Sequence, residues 1–191
     1  MRKNFELAIF MATFEDDHFI IDQLDSIMMQ TYLNFKLYVS DDSVSKKTYK
    51  IITQYQKEYP DKIIYQQGPK ENYVNNFLEL VNQKIIQADI FLFCDQDDFW
   101  VPKKLEYVAN CFQQNTNKKP ALYASSKIII DNKKKFIGHY NIEKFTPSLQ
   151  NSFFENITGG NTMAFNSKFR DILMQYDIKG VQIPSHDWWC Y

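Results

Sequence analysis

Ile90-Phe91-Leu92-Phe93-Cys94-Asp95-Gln96-Asp97-Asp98-Phe99-Trp100 joins five apolar residues directly to a cluster of acids. The apolar run is short and uninterrupted, which suits a strand buried on both faces. Pro102 follows where a helix can begin, and Leu105, Val108 and Phe112 give that helix a core face. Strand, acidic loop and helix therefore follow one another within about 25 residues.

The same alternation extends upstream. Phe5–Phe14 reads as a first buried strand, and Phe19–Met29 places Ile20, Leu24, Ile27 and Met28 on one helical face. Phe35–Ser40 is a second strand that ends at the turn Asp41-Asp42-Ser43. Lys47–Tyr59 is helical until Pro60, and Lys62–Gln67 is a third strand closed by Gly68-Pro69. Tyr73–Gln87 carries Val74, Phe77, Leu78, Val81 and Ile85 at helical spacing. Alternating strands and helices imply an α/β fold with a mostly parallel sheet and helices on both faces. In such sheets ligands bind beyond the carboxyl ends of the strands. Three polar clusters fall at expected strand ends, Thr13–Asp17, Asp41–Ser43 and Asp95–Asp98. This topology brings them to one edge.

The second half is less regular. Ala121–Ile130 and Lys135–His139 read as an antiparallel hairpin around Asp131-Asn132-Lys133. Thr162–Phe165 is strand-like and Lys168–Tyr176 is a short helix.

With 191 residues, 45% hydrophobic and 24% charged, the chain suits one domain. A net charge of -1 argues against a nucleic-acid backbone binder. Cys94, Cys111 and Cys190 are odd in number and lack CxxC spacing, which speaks against a disulfide framework or a Cys-rich zinc site and fits a reducing compartment. No apolar run reaches the roughly 18 residues that span a bilayer.

Aspartates two apart in an extended loop, as Asp95 and Asp97 are, can both reach one hard cation that shares its shell with phosphates. The same residues also suit a solvated turn, with Asp98 as a helix N-cap. A carboxylate of Asp41 or Asp42 can accept the ring N–H of uracil, thymine or guanine, although Asp and Ser are also ordinary turn residues. Near the end stands His186-Asp187-Trp188-Trp189. An aspartate beside two Trp rings is partly desolvated, which suits a general base, and Trp faces stack on sugar rings. The alternative is a Trp pair anchoring the fold, with Asp187 as a helix cap. Gly159-Gly160-Asn161 allows close backbone approach, at a site border or in a plain turn.

Taken in order, these stretches resemble the family 2 glycosyltransferases, closest to bacterial rhamnosyltransferase-like members that build surface polysaccharide. The resemblance runs through Ala12-Thr13-Phe14, Leu24-Asp25-Ser26-Ile27 with Gln30-Thr31, Val39-Ser40-Asp41-Asp42-Ser43, Asn76-Phe77, Asp95–Trp100 with Pro102-Lys103-Lys104-Leu105, Gly159–Asn166 and His186–Trp189. It implies the GT-A fold, Rossmann-like, with 1–115 as the nucleotide-sugar half and 116–191 as the acceptor-side half. It also implies an inverting hexosyltransferase that moves a sugar from a dTDP- or UDP-linked donor to a glycan or lipid-linked acceptor. By resemblance Thr13, Glu15, Asp41, Asp42, Asp95 and Gln96 bind the donor, and Asp97 and Asp95 hold Mn²⁺ or Mg²⁺. Asp187 is then the base, with Gly160, Asn161, His186 and Trp188 on the acceptor side. A cytoplasmic place, peripheral at the inner membrane face, follows from the same source.

The chain departs from the family pattern at Phe14-Glu15-Asp16, where Tyr-Asn-Gly is common. Family members usually continue past the position of Asp187, so the acceptor half is expected to be incomplete. A nucleotide-binding remnant or non-catalytic interaction domain is the competing expectation.

Overall fold

The computed structural model describes residues 3–15, 18–114, 119–176 and 181–191. Asp16, Asp17 and the expected boundary at 115/116 lie outside the described residues. Four strands, β1 (Leu7–Thr13), β2 (Phe35–Asp41), β3 (Ile63–Gln67) and β4 (Ile90–Asp95), are parallel and alternate with helices α1 (Ile20–Met28), α2 (Lys46–Glu58) and α3 (Tyr73–Asn82). Helix α4 (Lys104–Gln114) follows β4. Strand β5 (Leu122–Tyr123) comes next, then β6 (Lys127–Ile130) and β7 (Phe136–Tyr140), a separate antiparallel hairpin. Short helix α5 (Leu149–Ser152), strand β8 (Ala164–Asn166), α6 (Ser167–Leu173) and α7 (His186–Cys190) complete the described chain. The main sheet runs β3-β2-β1-β4-β8-β5, with β8 antiparallel to both its neighbours.

Alternation along the two central strands explains why both faces need helices. Leu7, Ile9 and Met11 of β1 and Ile90, Leu92 and Cys94 of β4 point into one core, shared with Ile20, Leu24 and Ile27 of α1, Ile52 of α2 and Leu105, Val108 and Phe112 of α4. Ala8, Phe10 and Ala12, with Phe91 and Phe93, enter the other core against Phe77, Leu80 and Val81 of α3, Leu173 of α6 and Cys190 of α7. A strand covered on both sides has no room for a polar alternation, hence its continuous apolar run.

Sequence order reverses between β1 and β4, the point at which an open α/β sheet leaves a crevice. Register levels the strand ends there. Thr13 lies beside Asp41, Ala12 beside Asp95, and Asp41 beside Gln67.

Several boundaries differ from the sequence expectation, among them the strand expected at Thr162–Phe165, which runs Ala164–Asn166, and three that have a clear physical reason. Asp41 closes β2 instead of opening a turn, because it is paired on both sides. Leu122–Tyr123 joins the main sheet through β8, so the hairpin begins only at Lys127. Helix α3 stops at Asn82, five residues early, and Ile85 is exposed. The cause is Arg170, buried at 4% exposure, whose guanidinium donates to the carbonyls of Val81, Gln83 and Ile86 and lies 4.5 Å from the Phe91 ring centroid. Val81 offers one of the last carbonyls of the helix, Gln83 and Ile86 lie beyond it, and Arg170 satisfies all three at once. Arg170→Met should therefore strand three acceptors in the core and cost about 3 kcal/mol of stability, read as a lower urea midpoint with an unchanged slope.

Candidate functional site

The edge formed by β1, β2 and β4 carries most of the expected residues. Thr13 is buried, and its hydroxyl donates to Asp41 Oδ1 at 2.9 Å. The same oxygen accepts from the Ser43 N–H, and Tyr65 donates to Oδ2 at 3.4 Å. Asp42 is also buried, and its Oδ1 accepts from the Lys70 N–H at 2.7 Å. Burial pushes its carboxyl up, and the Asp41 charge adds to this. Gly68 is fixed by the same packing, since a Cβ there would stand 2.3 Å from Asp42 Oδ1.

Glu15 sits in the left-handed region with φ 45, the conformation that Asn and Gly adopt more readily. Its carboxylate accepts from the N–H groups of Val44 and Ser45 at 2.7 and 2.9 Å. Hydrogen bonds from Ser45, then Val44, hold this carboxyl below its ordinary value. Glu15 therefore ties the loop after β1 to the loop after β2. Gln96 ties it to the loop after β4, because its amide bonds both the N–H and the carbonyl of Phe14, at 2.8 and 3.0 Å.

Asp95 is half-buried, Asp97 exposed and Asp98 half-buried. Asp98 caps no helix, because α4 begins only at Lys104. It accepts instead from the Asn161 side chain at 2.9 Å, while the Asn161 carbonyl accepts from Lys104 Nζ at 2.7 Å. The Asp95 carboxyl is pushed up to about 7, by burial first and then by the charges of Asp98, Asp97 and Asp187. Among the described residues no three His, Cys, Asp or Glu side chains form a ready metal cage.

Asp187 lies in the first turn of α7, half-buried. Ser185, not Asp187, is the N-cap. Asp187 Oδ2 accepts from the Gly160 N–H at 3.0 Å, and Oδ1 accepts from the Ser185 hydroxyl and the Trp188 N–H. A Cβ on Gly160 would meet His186 Nε2 at 2.5 Å, so only glycine lets α7 come this close. His186 faces the core. Its ring stacks on Phe77 at 4.0 Å and meets Phe93 edge-on at 4.7 Å, and burial lowers its pKa to about 4. Trp188 donates to the Ser152 carbonyl at 2.6 Å, and Trp189 packs edge-on against Tyr176. Both rings anchor α7.

Several functional neighbours carried no assigned role in the sequence. Ser26 of α1 and Gln30 just past its end, 1% and 2% exposed, grip the chain that follows the acidic loop. Ser26 Oγ accepts from the Trp100 N–H, Gln30 Oε1 accepts from the Leu105 N–H, and Gln30 Nε2 donates to the Val101 carbonyl, all within 3.0 Å. Gln23 donates to Cys94 Sγ. Their signal was polar residues on an otherwise apolar helical face. Lys104, half-buried against the Trp100 ring at 4.4 Å, stood in the sequence only within the Pro102–Leu105 stretch of the resemblance, and Lys127 had no local signal at all.

This architecture is GT-A. Residues 8–174 match the profile described as Glycosyl transferase family 2, and the chain belongs to that family. Among curated proteins it is similar to the dTDP-rhamnosyl transferase RfbG of Shigella flexneri, 26% identical over 199 residues that cover 95% of this chain and 63% of that protein. Among solved structures it is similar to S. aureus TarS 1-349, with TM-score 0.64 and 14% identity over 96% of this chain and 53% of that one. It is also similar to the mannosyltransferase PcManGT from Pyrobaculum calidifontis, solved with GDP-Man and Mn2+, with TM-score 0.60 and 13% identity over 88% of this chain and 46% of that one. At such identities the two structures speak for the fold. No helix among the described residues is long and apolar enough to cross a membrane.

A carboxyl raised in the folded state keeps its proton where the unfolded chain has lost it. The stability that Asp95 contributes is thus present near pH 4 and lost as pH rises through about 7. Without divalent ions, Tm should fall across that window, and Asp95→Asn should flatten the fall in a pH series of thermal melts.

Proposed function

We propose that this chain forms the donor-binding and catalytic core of an inverting glycosyltransferase, with 1–115 taking the nucleotide sugar and 116–191 facing the acceptor. The observation that carries the reading is that Gly160 and Asn161 join Asp187 to the Asp95–Asp98 loop at the end of β4, the Gly160 N–H donating to Asp187 and the Asn161 side chain to Asp98. The family match and the names of the relatives support the same chemistry.

In this reading Thr13, Glu15, Asp41, Asp42, Asp95 and Gln96 form the nucleoside side of the site. Asp41 keeps spare lone pairs on Oδ2 for a base N–H, and uracil or thymine would both offer one. That suits a UDP- or dTDP-linked sugar, and RfbG supports the latter.

A divalent cation fits this edge, because three carboxylates crowd the half-buried Asp95 without an opposite charge strong enough to offset them. Mn²⁺ or Mg²⁺ would be held by Asp97 and Asp95 with substrate oxygens completing its shell, and PcManGT, solved with Mn2+, supports this. Bound there, such an ion supplies Lewis-acid stabilisation of the departing diphosphate.

Asp187 then acts on the acceptor. Its two oxygens hold three hydrogen bonds and retain lone pairs for one more donor. The carboxylate takes the proton of an acceptor hydroxyl as that oxygen bonds to the anomeric carbon. The bond from that carbon to the diphosphate breaks on the opposite face, its electron pair leaves with the diphosphate, and the configuration inverts. The transition state is oxocarbenium-like. Gly160 and Asn161 hold this side in place, and a glycan or lipid-linked sugar is the proposed acceptor. A lipid carrier would bring the protein to the cytoplasmic face of the membrane.

Calorimetric titration with UDP, dTDP and GDP, with and without Mn²⁺, tests the donor site. One nucleotide should bind in a metal-dependent way, and Asp97→Ala should abolish that dependence. Equal affinity for all three, with or without metal, would remove the assignment. Asp187→Asn should leave donor affinity within about twofold and lower transfer about 10²–10⁴-fold. Undiminished turnover would exclude Asp187 as the base.

A further inference from the structure

Lys127 opens β6, some thirty residues from the acidic loop in sequence, yet its side chain returns to the site. Its ammonium lies against Gly159, where an added Cβ would stand 2.8 Å from Nζ. Its register partner on β7 is Tyr140, whose ring centroid is 5.8 Å away, and the Tyr140 hydroxyl is tied to the Ile157 carbonyl at 3.0 Å. Together these contacts aim the lysine across the Gly159–Asn161 loop. With Asp97, Asp98 and Asn161 it lines an open cavity of about 780 Å³ between α4 and the hairpin. Burial and the neighbouring carboxylates raise Asp95, and Lys127 is the cation that acts against them.

Other lysines nearby are already engaged. Lys104 donates to the Asn161 carbonyl beneath the Trp100 ring, and Lys134 pairs with Asp22 at 2.8 Å. Among the described residues Lys127 has neither a hydrogen bond nor an ion pair of its own. A half-buried ammonium that shares a cavity with Asp97 and Asp98, and pairs with neither, is placed for an anion that arrives with the substrate.

Building on the donor-site reading above, we infer that Lys127 is a phosphate-binding residue of the site, its ammonium contacting the diphosphate of the bound nucleotide from the hairpin side. A point charge on a flexible stem suits this role, since phosphate oxygens can be met at several angles. The contact gains strength as charge collects on the leaving diphosphate. It would also make the hairpin part of the donor site, although the hairpin is not part of the main sheet.

Calorimetry on the wild type, Lys127→Gln and Lys127→Arg, using dTDP and UDP beside dTMP and UMP at saturating Mn²⁺, tests the inference. Lys127→Gln should weaken diphosphate binding about tenfold and narrow the gap between di- and monophosphate, with an unchanged thermal midpoint. Lys127→Arg should restore most of the loss. Wild-type diphosphate affinity in Lys127→Gln overturns this inference alone. Equal loss of mono- and diphosphate also overturns it, because the lysine then only supports the loop. No nucleotide binding by the wild type removes the donor-site reading and this inference with it.

Discussion

Like charges resist being brought together, and this molecule holds Asp95, Asp97, Asp98 and Asp187 around the end of β4. Much of the surrounding structure serves that placement. Ser26 of α1 and Gln30 just past it take backbone groups of Trp100, Val101 and Leu105, which fixes the chain that follows Asp98. From the other side Asn161 holds Asp98, and the half-buried Lys104 tempers the repulsion. Burial first, and then the repulsion that remains, push the Asp95 carboxyl up to about 7.

Asp187 is placed by a different device. Helix α7 is only five residues long and would not persist alone. It is held by the His186 ring, which is neutral and stacked in the aromatic core, by the Trp188 indole on Ser152, and by the missing side chain of Gly160. A motif that reads as sugar-facing is thus largely an anchor, and one carboxylate within it faces the site.

The proposed nucleoside side depends on three loops that fasten one another. Glu15 reaches the loop after β2, Gln96 reaches the loop after β1, and Lys70 reaches Asp42. Glu15 holds the left-handed conformation, which asparagine and glycine adopt more readily. Here a longer acid accepts the strain, and its two backbone hydrogen bonds offset the cost.

Strand and helix periods, and the acids following apolar runs, determined by themselves the parallel sheet and the edge where ligands meet it. Those signals are local, and they survive because β1 and β4 are buried on both faces and the chain cannot cross over in the other hand. Tertiary structure alone decided the rest. The end of α3 depends on Arg170, almost 90 residues distant. Whether His186 faced substrate or core depended on Phe77 and Phe93. The part played by Lys127 depended on a hairpin folding back over Gly159. Each is a contact between segments far apart in the chain, whose energy comes from shape and charge in three dimensions, and no spacing within a single segment encodes it.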